Sequence, residues 1–173
     1  MRIGFCGTMS VGKTTLVNAL KELPEFKDYY FRTERSKHLM DLGIPLNMDS
    51  TLKGQFVFAA ERASELLCNK ILTDRTVIDV MAFCELSESM TANEAFYLNS
   101  ALGHLIEDYD HLFYVSPVGV KIEDNGVRET DIKYRDEINK KILSILDLRN
   151  IKYTTIQGDT KERIELVKSV VFS

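Results

Sequence analysis

The sequence predicts an α/β protein built on a parallel sheet of five strands. Short apolar runs alternate along the 173-residue chain with longer segments of helical period, which is the pattern of stacked βα units. A glycine-rich segment, GTMSVGKT, joins the first apolar run to the first helical segment. A chain of this length builds one hydrophobic core, so we expect a single domain over residues 1–173.

The individual elements follow from the same periodicities. Strands are predicted at residues 2–6, 28–32, 70–73, 111–115 and 152–156, and helices at residues 13–23, 34–42, 50–69, 77–86, 92–107, 130–148 and 161–171. Pro24 marks the end of the first helix, and Gly43 with Pro45 marks the end of the second. Thr91 and Glu94 have the spacing of a capping box at the start of the fifth helix.

Composition limits the partners and the location of the protein. The net charge is −4 and the pI is about 5.5, which disfavours nucleic acid as a partner because a protein surface that binds nucleic-acid phosphates is broadly basic. The three cysteines are far apart and form no CxxC pair, so neither a disulfide framework nor a zinc site is predicted. No signal-like N-terminus and no apolar span of ~18 residues is present. We expect a cytoplasmic protein without a membrane partner.

The segment from Gly7 to Thr14, called the phosphate loop below, fits the pattern G-x-x-x-x-G-K-[ST] between a strand and a helix. Its glycines permit backbone N–H groups to point at phosphates, and the N-terminus of the next helix adds a favourable field. Lys13 is expected to reach the β and γ phosphates, and Thr14 to bind Mg²⁺. The pattern leaves ATP and GTP equally open. The predicted nucleotide-binding residues here are Gly7, Thr8, Met9, Ser10, Val11, Gly12, Lys13, Thr14 and Thr15.

Charged residues follow the second and third predicted strands. Glu34 and Arg35 come after the second strand, and Asp74 and Arg75 come after the third. The carboxyl ends of parallel strands form the ligand-binding edge of an α/β sheet. Asp74 is predicted to serve the magnesium shell or the acceptor hydroxyl, Glu34 is the rival acceptor-side base, and Arg75 supplies a cation. These roles are open to exchange.

A polar, glycine-bearing segment at residues 118–135 follows the fourth strand and suits a lid. Closure of a lid excludes water from a phosphoryl group. We expect it to bring Arg128, and with it Arg135, to the charge of the transferring phosphate. A turn at residues 157–160, after the fifth strand, is the expected corner for the nucleotide base.

The third predicted helix offers residues for an acceptor pocket. Gln55 and Arg62 are polar groups that suit recognition of a flat polar ring. Phe56 and Phe58 on the same helix are expected in the core.

Four segments resemble successive blocks of a known family of P-loop kinases, typified by the ribosylnicotinamide kinase domain of the bifunctional bacterial NAD-biosynthesis regulator. They are GTMSVGKTTL, then ERSKHLMDLGIP with TLKGQFVFAAER, then ILTDRTVIDVMAF, and DNGVRETDIKYR. The resemblance implies a three-layer α/β/α P-loop fold with sheet order 2-3-1-4-5 and a helical lid. It also implies ATP-dependent phosphorylation of a nucleoside-type hydroxyl, and it supports functional roles for Asp74 and Arg128.

The helix that bears Gln55 and the DRT turn are more distantly similar to parts of deoxynucleoside and thymidylate kinases. No segment corresponds to the regulator's adenylyltransferase or DNA-binding regions, so those activities are not expected.

The leading hypothesis is a magnesium-dependent phosphotransferase that acts on a small nucleoside-like or nucleotide-like acceptor. One alternative is a kinase for a hydroxymethylated base or another hydroxyl on DNA. A second is a nucleotide-dependent binding protein or switch with slow hydrolysis. The sequence leaves monomer and homodimer open.

Overall fold

The computed structural model describes residues 1–33, 36–120 and 131–173. Its strands are β1 (Arg2–Cys6), β2 (Tyr30–Arg32), β3 (Ile71–Thr73), β4 (His111–Val115) and β5 (Thr154–Ile156). Its helices are α1 (Lys13–Lys21), α2 (Ser36–Asp41), α3 (Leu52–Glu65), α4 (Val77–Glu85), α5 (Ala92–Gly103), α6 (Ile132–Leu148) and α7 (Thr160–Val171). Short 3₁₀ turns lie at Pro24–Phe26, Asn47–Asp49 and Ile106–Asp108.

The five strands form one parallel sheet in the order β2-β3-β1-β4-β5. The central strand β1 pairs with β3 on one side and with β4 on the other. This order confirms the predicted α/β fold with strands arranged 2-3-1-4-5. It also places the ends of β1 and β3 side by side, so the loops that follow them meet at one edge of the sheet.

Two hydrophobic clusters cover the two faces of the sheet. Ile3 and Phe5 of β1 pack on the side of α1 and α7, whereas Cys6 packs on the side of α3, α4, α5 and α6. Alternate residues of a strand point to opposite faces, which explains this division. The structure therefore has the predicted three layers.

Several predicted boundaries are too wide. The third helix begins at Leu52, after Thr51 accepts a hydrogen bond from the Gly54 N–H, and it ends at Glu65. The first residues predicted for the second and fifth strands lie outside β2 and β5. The prediction for Phe56 is wrong, because its side chain is 55% exposed while Phe58 is 7% exposed. Residues two apart on a helix lie about 200° apart, so the two rings face different surroundings.

None of the helices in the described part of the chain has the length and apolar character that crossing a membrane requires.

Candidate nucleotide and acceptor site

The phosphate loop wraps tightly between β1 and α1. Gly7 has a φ of +151° and Gly12 a φ of +85°. A Cβ atom at Gly7 would lie 2.7 Å from the carbonyl oxygen of Val115, so a larger residue would force β4 and the loop apart. Gly12 is the N-cap of α1. The predicted strand–loop–helix geometry, with the helix N-terminus at the loop, is therefore present.

Lys13 lies within this loop and is buried. Its Nζ donates hydrogen bonds to the carbonyl oxygens of Gly7 and Thr8, the second at 2.8 Å. The same Nζ is 3.9 Å from Asp79 Oδ1. Burial lowers the pKa of Lys13, and the nearby Asp79 partly opposes that shift. The ammonium group is thus held beside the loop by two of the loop's own carbonyl oxygens and by the Asp79 carboxylate.

The hydroxyl of Thr14 donates a hydrogen bond to Asp74 Oδ2. A hydroxyl oxygen and a carboxylate oxygen in contact beside a phosphate loop are the hard donors that Mg²⁺ prefers. No group of three or more His, Cys, Asp or Glu side chains suited to a metal occurs in residues 1–33, 36–120 and 131–173. Thr14 and Asp74 supply the hydroxyl and carboxylate oxygens that would suit the predicted ion, which commonly uses one or two protein ligands together with substrate phosphates.

Asp79, at the first turn of α4, ties the phosphate loop to the turn after β3. Its Oδ1 accepts from the Gly7 N–H at 3.2 Å, and its Oδ2 accepts from the N–H and hydroxyl of Thr76 at 2.8 and 2.9 Å. The side chain is fully buried. A lone charge in the apolar run VIDVMAF is costly, so this carboxylate needs partners. The Gly7 and Thr76 donors supply them.

Two arginines from distant helices contact the outer side of the phosphate loop. Arg135 of α6 donates from Nε to the Met9 carbonyl at 3.2 Å and from Nη1 to the Val120 carbonyl at 3.0 Å. Arg163 of α7 donates from Nη1 to the Val11 carbonyl at 2.7 Å. Arg135 was predicted near the nucleotide and lies at the loop, whereas sequence reasoning missed Arg163.

A polar–apolar cavity lies next to the phosphate loop on the side of α2, α3 and α4. Gln55 is buried in its wall and donates from Nε2 to Ser50 Oγ at 2.9 Å. The guanidinium of Arg75 packs over the Phe83 ring at 5.0 Å and borders both this cavity and the space beside Lys13. The lining residues are Ser36, Leu46, Asn47, Gln55, Phe58, Arg75, Val80 and Phe83. Gln55 and Arg75 thus line the same cavity, and its role as an acceptor pocket stays a prediction.

Arg62 lies elsewhere, in a buried ion-pair cluster at the end of α3. It donates to Glu65 at 2.6 Å and lies 3.6 Å from Glu61, while Arg32 is 3.5 Å from Glu65. Burial raises the pKa of the Glu65 carboxyl against the pull of Arg62. Arg62 is not among the residues that line the cavity. The guanidinium of Arg62 is thus paired with carboxylates of its own helix and does not border the cavity.

Some predicted residues lie outside the described part of the chain. These are Glu34, Arg35, Arg128 and most of the predicted lid, residues 121–130. Thr15, predicted with the nucleotide ligands, is exposed on the first turn of α1.

A larger cleft of about 600 Å³ lies between α4, α5 and α6. Its walls include Met81, Phe96, Asn99, Leu148 and Arg149. The cleft contains none of the predicted site residues, so size alone does not identify the site.

Comparison with known proteins supports the fold. A crystal structure of NadR protein in complex with NR matches with a TM-score of 0.77 at 17% identity, over 99% of this chain and 52% of that one. The chain thus spans about half the length of the NadR chain. A deoxyadenosine kinase from M. mycoides with dCMP bound matches with a TM-score of 0.67 at 15% identity, over 99% of both chains. A thymidylate kinase from Candida albicans matches with a TM-score of 0.68 at 14% identity, over 99% of this chain and 90% of that one.

A search of curated protein sequences finds no match. A family model described as an AAA domain, in contrast, matches residues 2–163. The match spans all five strands and the phosphate loop, and the chain therefore belongs to this AAA domain family of P-loop proteins.

Proposed function

We propose that this protein is a P-loop kinase that transfers the γ-phosphoryl group of ATP or GTP, with Mg²⁺, to a hydroxyl of a nucleoside-type or nucleotide-type small molecule. The observation that carries the proposal is the shared border of two spaces. The space beside the phosphate loop is lined by Lys13, Thr14 and Asp74. The neighbouring cavity is lined by Gln55, and Arg75 borders both spaces.

The nucleotide side rests on the backbone of the phosphate loop. Inward-facing N–H groups and the N-terminus of α1 would hold the phosphate oxygens. Lys13 would exchange its loop carbonyl partners for the β and γ phosphates. Thr14 and Asp74 would hold Mg²⁺, which when bound would neutralise charge on those phosphates.

The acceptor side rests on the cavity around Gln55. A buried carboxamide offers both a donor and an acceptor to the edge of a polar ring, and Phe58 and Phe83 provide aromatic surface beside it. The names of two proteins of similar fold, a deoxyadenosine kinase and a thymidylate kinase, support a nucleoside-type or nucleotide-type acceptor.

The chemistry is an in-line displacement at phosphorus. The acceptor oxygen forms a bond to the γ-phosphorus, and the bond from that phosphorus to the β–γ bridging oxygen breaks. The electron pair of the broken bond leaves with the nucleoside diphosphate, and the hydroxyl proton passes to a carboxylate. Because Thr14 already engages Asp74, we assign Asp74 to the magnesium site and Glu34 to the proton.

Arg75 would add a second cation beside the transferring charge, since it borders both spaces. Arg128 is proposed for the same charge from the lid. Positioned cations of this kind stabilise charge that develops in the transition state.

The test incubates the purified protein with Mg-ATP or Mg-GTP and a panel of nucleosides and nucleoside monophosphates, and follows product by mass spectrometry. One or more acceptors should gain a single phosphoryl group. The Lys13→Ala variant should lose this product, and Lys21→Ala, at the other end of α1, is the matched control.

Equal turnover by the Lys13→Ala variant would refute the site. Tight triphosphate binding with no phosphorylated acceptor would instead favour a slow nucleotide-dependent switch. Phosphorylation of DNA that carries hydroxymethylated bases, but of no small molecule, would favour the DNA kinase.

A further inference from the structure

Arg163 of α7 is not assigned by the proposed chemistry, yet it bridges two loops of the nucleotide side. Its Nη1 donates to the Val11 carbonyl at 2.7 Å, and its Nε donates to the Gly158 carbonyl at 2.8 Å. Val11 lies in the phosphate loop, and Gly158 lies in the turn after β5. One rigid guanidinium therefore joins the phosphate loop to the turn expected to face the nucleotide base.

The contact with Val11 has a consequence for the loop amides. When a loop directs its N–H groups inward to an anion, carbonyl groups between them point outward, and each buried carbonyl needs a donor. Arg163 supplies that donor for Val11. A Cβ atom placed on Gly12 would lie 3.1 Å from Arg163 Nη1, so the guanidinium packs directly behind the residue that precedes Lys13.

The charge of Arg163 is buried without a described counter-ion. The residue is 7% exposed, and within residues 1–33, 36–120 and 131–173 no carboxylate lies within 4.0 Å of its guanidinium nitrogens. Burial of a cation that is satisfied only by carbonyl oxygens is costly, and it lowers the pKa of this arginine. An anionic ligand on the other side of the loop would offset that cost.

We propose that Arg163 is a positioning residue for triphosphate binding. It holds the Val11 and Gly158 carbonyls so that the phosphate-loop amides face the ligand, and it adds positive charge behind Gly12. This inference rests on the proposed function, because it requires that the loop binds nucleotide phosphates.

The test measures binding of Mg-ATP and Mg-GTP by calorimetry to the whole chain and to the Arg163→Ala variant. Loss of hydrogen bonds from a charged donor predicts a rise in Kd of about 10-fold or more. Free guanidinium, added below the concentration that unfolds the protein, should recover part of the affinity of the variant. Lys168→Ala is the matched control, since Lys168 lies on the same helix and pairs with Glu25, away from the loop; its Kd should equal that of the wild type.

A structural role alone would change the melting temperature and would not be rescued by guanidinium. If Arg163→Ala does not fold, Arg163→Lys serves as the second variant. Lysine keeps the positive charge and the aliphatic part of the side chain but cannot bridge both carbonyls, so the Kd for the triphosphate should still rise. Wild-type affinity in a folded Arg163 variant, or lost affinity that guanidinium does not recover, would overturn the proposal. Failure of the wild type to bind any nucleoside triphosphate would overturn the proposed function itself.

Discussion

The two ends of the proposed site, a phosphate end and an acceptor end, are built in different ways. At the phosphate end, backbone groups of one short loop are fixed by Asp79, Arg135 and Arg163 from three separate helices. At the acceptor end, side chains of α2, α3 and α4 line a cavity, and Gln55 is held through Ser50.

This difference separates what each end can recognise. Backbone amides bind the phosphates that all nucleoside triphosphates share, whereas side chains in a cavity discriminate among acceptors. Changes at the phosphate end should therefore affect every acceptor alike. Changes at the acceptor end should alter the order of preference among acceptors.

The largest expected effect concerns Arg62 and tests whether it belongs to the acceptor end. Removal of one partner from a buried ion pair leaves an uncompensated charge and costs about 3–5 kcal/mol. Arg62→Met should decrease the free energy of unfolding by about 3 kcal/mol, the lower end of that range. The loss is at the lower end because Arg32 still lies 3.5 Å from Glu65. Urea unfolding measures the change, and calorimetry should find the triphosphate Kd unchanged.

The paired variant Arg62→Met with Glu65→Leu should recover most of the lost stability, because both charges are then gone. A stable Arg62→Met protein with a raised KM for the acceptor would instead return Arg62 to the acceptor pocket.

Asp74 should give the next largest effect, this time on catalysis at the phosphate end. Loss of one group that stabilises transition-state charge lowers kcat by roughly 10²- to 10³-fold. Asp74→Asn should show this loss with every acceptor and should need more Mg²⁺ for half-maximal rate. Asp41→Asn, at the exposed end of α2, is the control. A normal magnesium requirement in Asp74→Asn would remove Asp74 from the metal site.

The sequence was sufficient for the sheet and the phosphate loop because both depend on local patterns. Short apolar runs specify buried parallel strands, and the spacing from Gly7 to Thr14 specifies the loop. The order of the strands came from the resemblance to P-loop kinases, since periodicity alone does not say which strands are neighbours.

The supporting residues were harder to predict because they act over long distances in the chain. Arg163 contacts Val11 from 152 positions away. The sequence does contain one signal for Arg163, which is its position on the buried stripe of α7. Arg163, Val167 and Val171 are all buried and lie four residues apart. A charged residue on the inward stripe of an amphipathic helix needs a buried partner. Arg62 also lies on the buried side of its helix, but its ion-pair partner Glu65 belongs to the same helix. A buried charged position alone therefore does not distinguish a functional site from a structural ion pair.

A change at Gln55 should have a smaller effect on activity, and it tests whether this residue contacts the acceptor. Gln55→Leu removes the carboxamide from the cavity wall and keeps a similar volume. Loss of one neutral hydrogen bond to the acceptor should raise its KM by about 3- to 10-fold, without a change in the triphosphate Kd. Steady-state kinetics across several acceptors measures this, and preference among them should change. Phe56→Leu, at the neighbouring exposed position, is the control and should change neither the acceptor KM nor the triphosphate Kd. A raised triphosphate Kd in Gln55→Leu would contradict the separation of the acceptor end from the phosphate end.

The smallest effect compares two threonines that cap helices. Thr76 caps α4 and Thr91 caps α5, each within a capping box. Either change to alanine should cost about 1 kcal/mol of stability.

Only Thr76 also donates to Asp79, which in turn accepts from the Gly7 N–H. Thr76→Ala should therefore weaken triphosphate binding as well as stability, whereas Thr91→Ala should change stability alone. Calorimetry measures the triphosphate Kd of the two variants, and thermal unfolding checks that they lose a similar amount of stability. If both variants bind triphosphate equally well, Asp79 holds the phosphate loop without help from Thr76, and the turn after β3 can vary without disturbing the phosphate end.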